Sequence, residues 1–400
     1  MRDLINYRKN FGVNRRQFLG TEMMTVEQTL AELVAIDSVS TLSNGPIISY
    51  LEARCEAIGF NLKRFPHTDE KGVAKINLVA LRSTSLSTVD APVELALVGH
   101  TDTVPYEQTW INALKLTESG GNLYGRGACD TKAFIAATLT AIERIDLENL
   151  QKPLALIFTA DEEIGCLGAK RLADTHPLNV RYAIVGEPTS LHPMRAGKGY
   201  SLAEITVSGR EAHSAYPQLG VSAICGAARL IARIETIAEE LKREQRAGFD
   251  PPHTTLNLGL IEGGTAKNIV PAECCFSLEW RPIPGQKSDY VLDLVRAAVD
   301  DLKADDPQFV CEIKTSRADD SFETRADSTL VIFLEESSGK PSGTVAFGTE
   351  APSMIALGAE AVVFGPGDIR VAHRTGEFVP VEQLNQCVDI LRQTIARFCG

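Results

Sequence analysis

The sequence lacks the features that would assign it to a nucleic-acid-binding, membrane or disulfide-rich class. It has no excess of basic residues, since 40 Lys and Arg stand against 52 Asp and Glu for a formal net charge of -12. Nucleic acids and anionic membranes bind clustered cations, so neither partner is expected. No apolar run approaches the roughly 18 residues of a membrane span. The 9 Cys contain no C-x-x-C pair, and their odd number fits a reducing cytosol.

The first residues contain a segment similar to an export signal, but we do not expect the protein to be exported. Asn14 to Leu19 reads Asn-Arg-Arg-Gln-Phe-Leu, as a twin-arginine signal would. Such a signal requires an apolar stretch next, but Gly20-Thr21-Glu22 follows instead. We therefore predict a cytoplasmic protein in which residues 1–24 form a disordered extension ahead of an amphipathic segment that begins at Val26.

Two patterns of apolar residues divide the rest of the chain. Short runs of Val, Ile and Leu alternate with helical periodicity, which predicts an α/β domain with a mostly parallel sheet, built from residues 25–197 and 321–400. Between these parts, residues 198–320 show the order β-α-β-β-α-β, which is typical of a ferredoxin-like α+β sandwich. The strand-like runs of the larger domain are Ile76–Leu81, Val93–Val98, Leu154–Phe158, Ala183–Val185 and Ala361–Phe364.

Acidic and imidazole side chains follow three of these runs, at the point where each predicted strand ends. They are His100 and Asp102 after the second run, Glu162 and Glu163 after the third, and Glu187 after the fourth. The carboxyl ends of the strands are the edge at which open α/β sheets bind ligands. Because His and carboxylates are the ligands of hydrolytic zinc sites, a metal site at this edge is predicted.

A glycine-rich loop and the C-terminal region supply further candidates. Gly125-Arg126-Gly127 leads to Asp130, just before a predicted helix. A nucleotide-binding loop is the alternative interpretation, but the third Gly of G-x-G-x-x-G is absent and no strong strand directly precedes the loop. The run that ends at Phe364 leads on to His373.

Hydrolysis by a serine or cysteine nucleophile has less support in the sequence. No Ser stands in a G-x-S-x-G motif. Cys129 precedes Asp130 and Cys166 follows the Glu pair, but both are expected to be buried as small hydrophobic residues. Hydrolysis through the Cys129 thiol therefore stays an alternative of lower rank.

Taken in chain order, the motifs resemble those of the co-catalytic dizinc family of aminoacylases, glutamate carboxypeptidases, acetylornithine deacetylases and succinyl-diaminopimelate desuccinylases. The resemblance covers the chain from about Met24 to its end. It implies two divalent metal ions, zinc or cobalt, bridged by Asp130, with His100 and Glu187 on one ion and Glu163 and His373 on the other. The motifs are Gly99-His100-Thr101-Asp102, Gly125-Arg126-Gly127 through Asp130, Asp161-Glu162-Glu163 and Gly186-Glu187-Pro188-Thr189.

The resemblance also implies roles for residues that are not metal ligands. Asp102 would orient His100, and Glu162 would act as general base. In the inserted domain, a lid that also forms a homodimer interface in this family, His213 would stabilise the oxyanion. The residues expected to bind the substrate are Asn268, Arg281, Gly348, Thr349 and Glu350.

The choice of substrate rests on one segment near the end of the chain. Phe347-Gly348-Thr349-Glu350 resembles the acetylornithine deacetylase branch, whereas desuccinylases usually have Asp-Ala-Arg there. The predicted reaction is hydrolysis of N-acetylornithine to ornithine and acetate, a step of arginine biosynthesis. The alternatives are a desuccinylase, an aminoacylase or a dipeptidase of the same family. A further alternative is a non-catalytic binding protein that retains the fold.

Overall fold

The computed structural model describes residues 23–83, 92–175 and 178–400. The segment similar to an export signal and residues 1–22 of the expected extension lie outside these ranges. The helices are α1 (Val26–Ala35), α2 (Gly45–Ala57), α3 (Lys132–Glu143), α4 (Leu167–Thr175), α5 (Ala223–Leu241), α6 (Tyr290–Asp305), α7 (Thr329–Ser338), α8 (Ala351–Ala356) and α9 (Val381–Cys399).

The strands of the first 200 residues are β1 (Asn61–Thr68), β2 (Ala74–Arg82), β3 (Val93–His100), β4 (Thr117–Ser119), β5 (Asn122–Tyr124), β6 (Leu154–Thr159), β7 (Val180–Val185) and β8 (Met194–Gly197). Those that follow are β9 (Tyr200–Ser208), β10 (Ala212–His213), β11 (Thr255–Gly263), β12 (Ile269–Val270), β13 (Glu273–Arg281), β14 (Val310–Asp319), β15 (Phe322–Glu323), β16 (Gly343–Val345), β17 (Glu360–Val363) and β18 (Phe378–Pro380).

Helix α1 begins at a capping box encoded by the local sequence. The Thr25 hydroxyl accepts a hydrogen bond from the Gln28 N–H, and the Gln28 side chain accepts one from the Thr25 N–H. Two backbone donors that have no partner within the helix are satisfied in this way. The first helix of the described residues therefore has a defined N-terminal end, directly after the Met23-Met24 pair.

One compact unit contains residues 1–160 and 365–400. Its strands lie in the order β1-β2-β6-β3, antiparallel except for the parallel pair β3–β6. Every residue of β6 is buried, and α3 is buried from Lys132 to Ile142, as expected for a strand and a helix covered on all sides. Helices α1 and α9 pack against α3, and α3 and α9 pack against β3. The end of β3 and the start of α3 are therefore held by a packed core.

The second compact unit contains residues 161–364. Strands β7 and β17 pair in parallel, and β8 pairs in parallel with β16 and antiparallel with β15. Helix α8 packs on β7 and β17, and α4 packs on α8. Strand β7, buried apart from Arg181, runs to Val185 and delivers the chain to Glu187.

Residues 200–319 of this unit form a four-stranded antiparallel sheet in the order β11-β13-β9-β14. Side chains on β9 and β13 alternate in burial, so each strand presents one apolar face. Helices α5 and α6 cover that face, with Trp280 and Phe276 completely enclosed. A fully buried apolar side chain of this kind contributes about 1.5–3 kcal/mol, which makes the sandwich a substantial core of its own.

The prediction of an α/β fold with an inserted β-α-β-β-α-β sandwich is confirmed. The predicted domain boundaries, 25–197 with 321–400 and 198–320, stay a prediction. Among the described residues, no helix is long and apolar enough to cross a membrane.

Candidate metal centre

Two histidines face the carboxyl group of Asp130 in the unit built from residues 1–160 and 365–400. His100 Nε2 lies 3.0 Å from Asp130 Oδ1, and His373 Nε2 lies 3.0 Å from Asp130 Oδ2. His100 is the last residue of β3, Asp130 stands two residues before α3, and His373 follows the short 3-10 turn Ile369–Val371. Three segments that are distant in the chain thus converge on one carboxylate.

The surroundings of Asp130 favour its ionised form. Burial alone would raise the pKa of the Asp130 carboxyl, but the hydrogen bonds from His100 and His373 outweigh it and lower that pKa. The His100 and Asp130 side chains are buried, whereas 52% of the His373 side chain is exposed. His373 adopts a positive φ of 59°, a conformation uncommon for a residue with a side chain and found more often at ligand sites.

This arrangement fits two metal ions bridged by one carboxylate. Ligand atoms that lie 2.0–2.2 Å from the same tetrahedral zinc are separated by roughly 3.4 Å, close to the two nitrogen–oxygen distances around Asp130. Each carboxylate oxygen has its own imidazole, as a bridging ligand requires. His100 and Asp130 each offer one ligand atom to a metal ion. The residues present therefore fit a metal site, while the number and identity of the ions stay a prediction.

Asp102 lies next to the Nδ1 side of the His100 ring. The Nδ1 atom of His100 lies 3.0 Å from the backbone carbonyl oxygen of Asp102, and 3.8 Å from its carboxylate Oδ1. The Asp102 Oδ2 atom accepts a hydrogen bond from the Ser40 hydroxyl at 3.0 Å. The His100 Nδ1 atom thus lies closer to the main-chain oxygen of Asp102 than to its carboxylate Oδ1, and the predicted orienting role of the Asp102 side chain stays a prediction.

A buried ion pair that the sequence analysis missed lies behind the Asp130 loop. Glu377 is 1% exposed and accepts a hydrogen bond from the guanidinium of Arg126 at 2.5 Å. Its other carboxylate oxygen accepts the backbone N–H groups of Cys129 and Asp130 at 2.8 and 3.0 Å. One sequence feature could have pointed to this pair: the charged Arg126 stands in a run of small residues. Once such a guanidinium is buried, it requires a partner.

The predicted acidic ligands Glu163 and Glu187 belong to the unit of residues 161–364. Glu163 is half-buried and directly follows the Glu162 that was predicted as general base. The thiol of Cys166 donates a hydrogen bond to Glu162 Oε1 at 3.3 Å. Glu187 is 4% exposed and stands two residues after β7. A carboxylate so deeply buried requires compensating partners.

His213 and Asn268 lie beside each other in the inserted sandwich. His213 is exposed on β10 and pairs with Ile269 on β12, and the carbonyl oxygen of Asn268 accepts the Ser214 N–H at 3.0 Å. The Nδ1 atom of His213 accepts a hydrogen bond from the Ala215 N–H at 3.1 Å. In neutral His213 the proton is therefore on Nε2, which leaves that atom as a hydrogen-bond donor.

Arg281 and the segment around Gly348 also meet within this unit. Arg281 Nη1 donates to the carbonyl oxygen of Ala346 at 2.8 Å, and its guanidinium stacks 4.4 Å from the ring centre of Tyr200. Arg317, which the sequence analysis did not single out, stacks on the same ring at the same distance. A Cβ on Gly348 would stand 3.2 Å from Arg317 Nη2, so glycine gives the guanidinium room there.

The other two predicted substrate contacts, Thr349 and Glu350, are buried at the start of α8. Thr349 Oγ1 accepts the Ala351 N–H at 3.2 Å, and Glu350 is 1% exposed. Their predicted contact with a substrate stays a prediction.

The environment of Cys129 argues against a thiol nucleophile. Burial raises the pKa of the Cys129 thiol well above its ordinary value, and the thiol donates to the carbonyl oxygen of Asp368. A nucleophilic thiol requires the opposite, a lowered pKa and exposure.

We expect Cys129→Ser, which keeps a donor for Asp368, to change kcat/KM by less than about threefold, because the thiol takes no part in the chemistry. Steady-state kinetics of the variant, with Cys225→Ser as an exposed control, checks this. Loss of turnover in the Cys129 variant alone, with the fold retained, would revive the thiol mechanism.

Comparisons with known proteins identify the family of the chain. The family model described as "Peptidase family M20/M25/M40" matches residues 96–397. The chain belongs to this family. Acetylornithine deacetylase of Myxococcus xanthus is 52% identical over 373 residues, covering 93% of this chain and 97% of that protein. Acetylornithine deacetylase of Proteus mirabilis is 33% identical, covering 95% and 98%.

Solved structures of M20 enzymes have the same fold. A tripeptidase from Staphylococcus aureus, 24% identical, matches with a TM-score of 0.73 over 93% of this chain and 98% of its own. An M20 metallo-carboxypeptidase from Sulfolobus solfataricus, 19% identical, matches with a TM-score of 0.68 over the same two shares. The predicted family, fold class and enzyme class are thereby confirmed: this is a metal-dependent hydrolase of the M20 family.

Proposed function

We propose that the protein hydrolyses the amide bond of an N-acyl amino acid, and that its substrate is N-acetylornithine. The main support is the carboxylate of Asp130, whose two oxygens lie 3.0 Å from Nε2 of His100 and Nε2 of His373. The acetylornithine deacetylases at 52% and 33% identity support the choice of substrate. The product ornithine would enter arginine biosynthesis.

Two divalent ions, zinc or cobalt, are the proposed cofactors. Asp130 would bridge them, with His100 and Glu187 holding one ion and Glu163 and His373 the other. When bound, such ions lower the pKa of water towards neutrality and polarise a carbonyl oxygen. Because N and O ligands accept both metals, the ligand set fits either zinc or cobalt.

Glu162 is the residue assigned to proton transfer. Its carboxylate would take a proton from the attacking water and deliver it to the nitrogen of the leaving amine, so one group serves as base and then as acid. The Cys166 thiol, which donates to Glu162 Oε1, would restrict the rotation of this carboxylate. A restricted base keeps its reacting oxygen aligned with the substrate.

The inserted sandwich supplies the groups that would hold the substrate. His213 Nε2 would donate a hydrogen bond to the oxygen of the amide as negative charge develops there, and Asn268 would lie beside it. Arg281 would bind the substrate carboxylate with its planar guanidinium. Gly348, Thr349 and Glu350 would line the other side of the pocket.

We infer a cytoplasmic homodimer in which residues 198–320 form the lid and the subunit interface, while residues 25–197 and 321–400 form the catalytic domain. The exposed side chain of His213 supports this arrangement, because an oxyanion donor acts only when solvent is excluded around it.

The test is a comparison of kcat/KM for N-acetylornithine, N-acetylmethionine and N-succinyl-diaminopimelate, before chelation, after it, and after return of zinc or cobalt. We expect metal-dependent activity with at least about a 10-fold preference for N-acetylornithine. A preference for either other compound would replace the substrate and keep the mechanism. Chelator-insensitive activity, or none on any compound with metal bound, would overturn the proposal.

A further inference from the structure

The carboxylate of Glu377 holds the backbone that carries Asp130. Its Oε1 atom accepts two consecutive N–H groups, those of Cys129 and Asp130, at 2.8 and 3.0 Å. Its Oε2 atom accepts a hydrogen bond from Arg126 Nη1 at 2.5 Å. Two fixed N–H directions at successive residues define the orientation of the peptide plane between them. Glu377 therefore holds the main chain on the N-terminal side of the Asp130 side chain.

Glu377 also joins the two loops that provide ligands on this side of the centre. It stands four residues after His373, and its backbone N–H donates to the carbonyl oxygen of Arg374 at 3.2 Å. Its carbonyl oxygen accepts the Gly125 N–H at 3.1 Å, at the start of the Asp130 loop. Side chain and main chain of one residue thus connect the His373 loop to the Asp130 loop.

Arg126 balances the charge of Glu377 without taking part in the centre. Its Nη2 atom donates to the carbonyl oxygen of Pro105 at 3.1 Å, and its guanidinium lies 5.3 Å from the ring centre of Trp110. Because hydrogen bonds occupy both carboxylate oxygens of Glu377, this acid is suited to support a metal ligand and not to bind metal itself.

A purely structural role is a poor account of this arrangement. A buried ion pair contributes little net stability compared with apolar residues of the same size, since both charges lose their hydration. The two backbone hydrogen bonds go to Asp130 itself and to its neighbour, so they control a metal ligand directly. Replacing a residue that forms a hydrogen bond with a metal ligand changes the metal affinity by about 10- to 100-fold.

We propose that Glu377 is a positioning residue that sets the metal affinity of the centre by fixing the Asp130 backbone. Its Oε1 atom, acting through the N–H groups of Cys129 and Asp130, keeps the Asp130 carboxylate between His100 and His373. This inference rests on the proposed metal-dependent function.

A matched pair of double variants isolates the backbone hydrogen bonds from the buried charge. Arg126→Met with Glu377→Gln removes both charges but keeps an oxygen that accepts the two N–H groups. Arg126→Met with Glu377→Leu removes the same charges and the acceptor as well. Zinc affinity of the apoprotein is measured by competition with a chromophoric chelator, and the absorption spectrum of bound Co²⁺ reports ligand geometry.

We expect the double variant with Glu377→Gln to bind zinc with an affinity close to that of wild type. The double variant with Glu377→Leu should bind zinc about 10- to 100-fold more weakly and show a changed Co²⁺ spectrum. Equal zinc affinity and equal spectra in the two folded variants would overturn the role of Glu377. If the double variant with Glu377→Leu does not fold, the single variant Glu377→Asp tests the inference instead, because its shorter carboxylate cannot reach all three donors. Unchanged zinc affinity there also overturns the inference. If wild type binds no metal, the proposed function itself fails.

Discussion

Asp130→Asn should remove metal and activity together. An amide nitrogen is a poor metal ligand, so the variant keeps one ligand atom where the bridge needs two. Asn also cannot balance the charge of two cations beside His100 and His373. We expect bound zinc to fall from two ions per chain to fewer than one after dialysis, and kcat/KM to fall by at least about 10³-fold, because metal-activated water is lost.

The matched control is Asp389→Asn, which changes an exposed aspartate on α9 whose carboxylate lies 3.6 Å from Arg392. Exposed pairs of this kind contribute 0–1 kcal/mol, so the control should keep its fold, metal and turnover. Elemental analysis and steady-state kinetics on both variants check the prediction. Normal activity with full metal content in Asp130→Asn would contradict the assignment of this carboxylate.

Glu162→Gln should separate metal binding from turnover. Gln is close to Glu in shape and still accepts the hydrogen bond from the Cys166 thiol, so the local structure should persist. It cannot take a proton from water, and loss of a general base costs about 10²- to 10⁴-fold in rate. We expect kcat to fall by that factor with KM and zinc content near those of wild type.

The adjacent residue provides the sharpest comparison. Glu163→Gln removes a predicted metal ligand, so zinc content should fall with activity, whereas in Glu162→Gln only activity should fall. Measuring zinc per chain and kcat in both variants tests the two roles together. If Glu162→Gln lost metal while Glu163→Gln kept it, the two assignments would be reversed.

The sequence predicted the inserted sandwich well because its strands show clear alternation. The apolar patterns of residues 200–207 and 255–261 lie within β9 and β11, and the helical pattern of residues 290–302 lies within α6. Strand β14 is longer than its apolar pattern. That pattern stops at Ile313, whereas the strand continues to Asp319 through residues 314–319, which are mostly polar. Pairing with β9 extends this strand, an effect that local sequence cannot reveal.

The candidate ligands could be predicted because each follows a strong strand or lies in a recognisable motif. Asp130 lies 3.0 Å from both His100 and His373, and the role of these three residues as metal ligands stays a prediction. Their supporting contacts could not be predicted. The Arg126–Glu377 pair joins residues 251 positions apart, and neither side chain has a local pattern that names the other.

Arg317 shows the same limit in the inserted sandwich. It lies on the polar part of β14, and its guanidinium stacks on the Tyr200 ring, which also stacks with Arg281. Its position depends on the pairing of β14 with β9, where the register shifts between Thr315 and Arg317. Sequence patterns locate the strands, but they do not locate a side chain beyond an irregular register.

A zinc-return titration tests most directly whether a metal centre built on Asp130 performs amide hydrolysis. Zinc is added stepwise to the chelated wild-type protein, and bound zinc and the rate of N-acetylornithine hydrolysis are measured in the same samples. We expect no activity without zinc, full activity at two bound ions per chain, and no recovery in Asp130→Asn. Full activity in the zinc-free protein, or recovery in that variant equal to wild type, would contradict it.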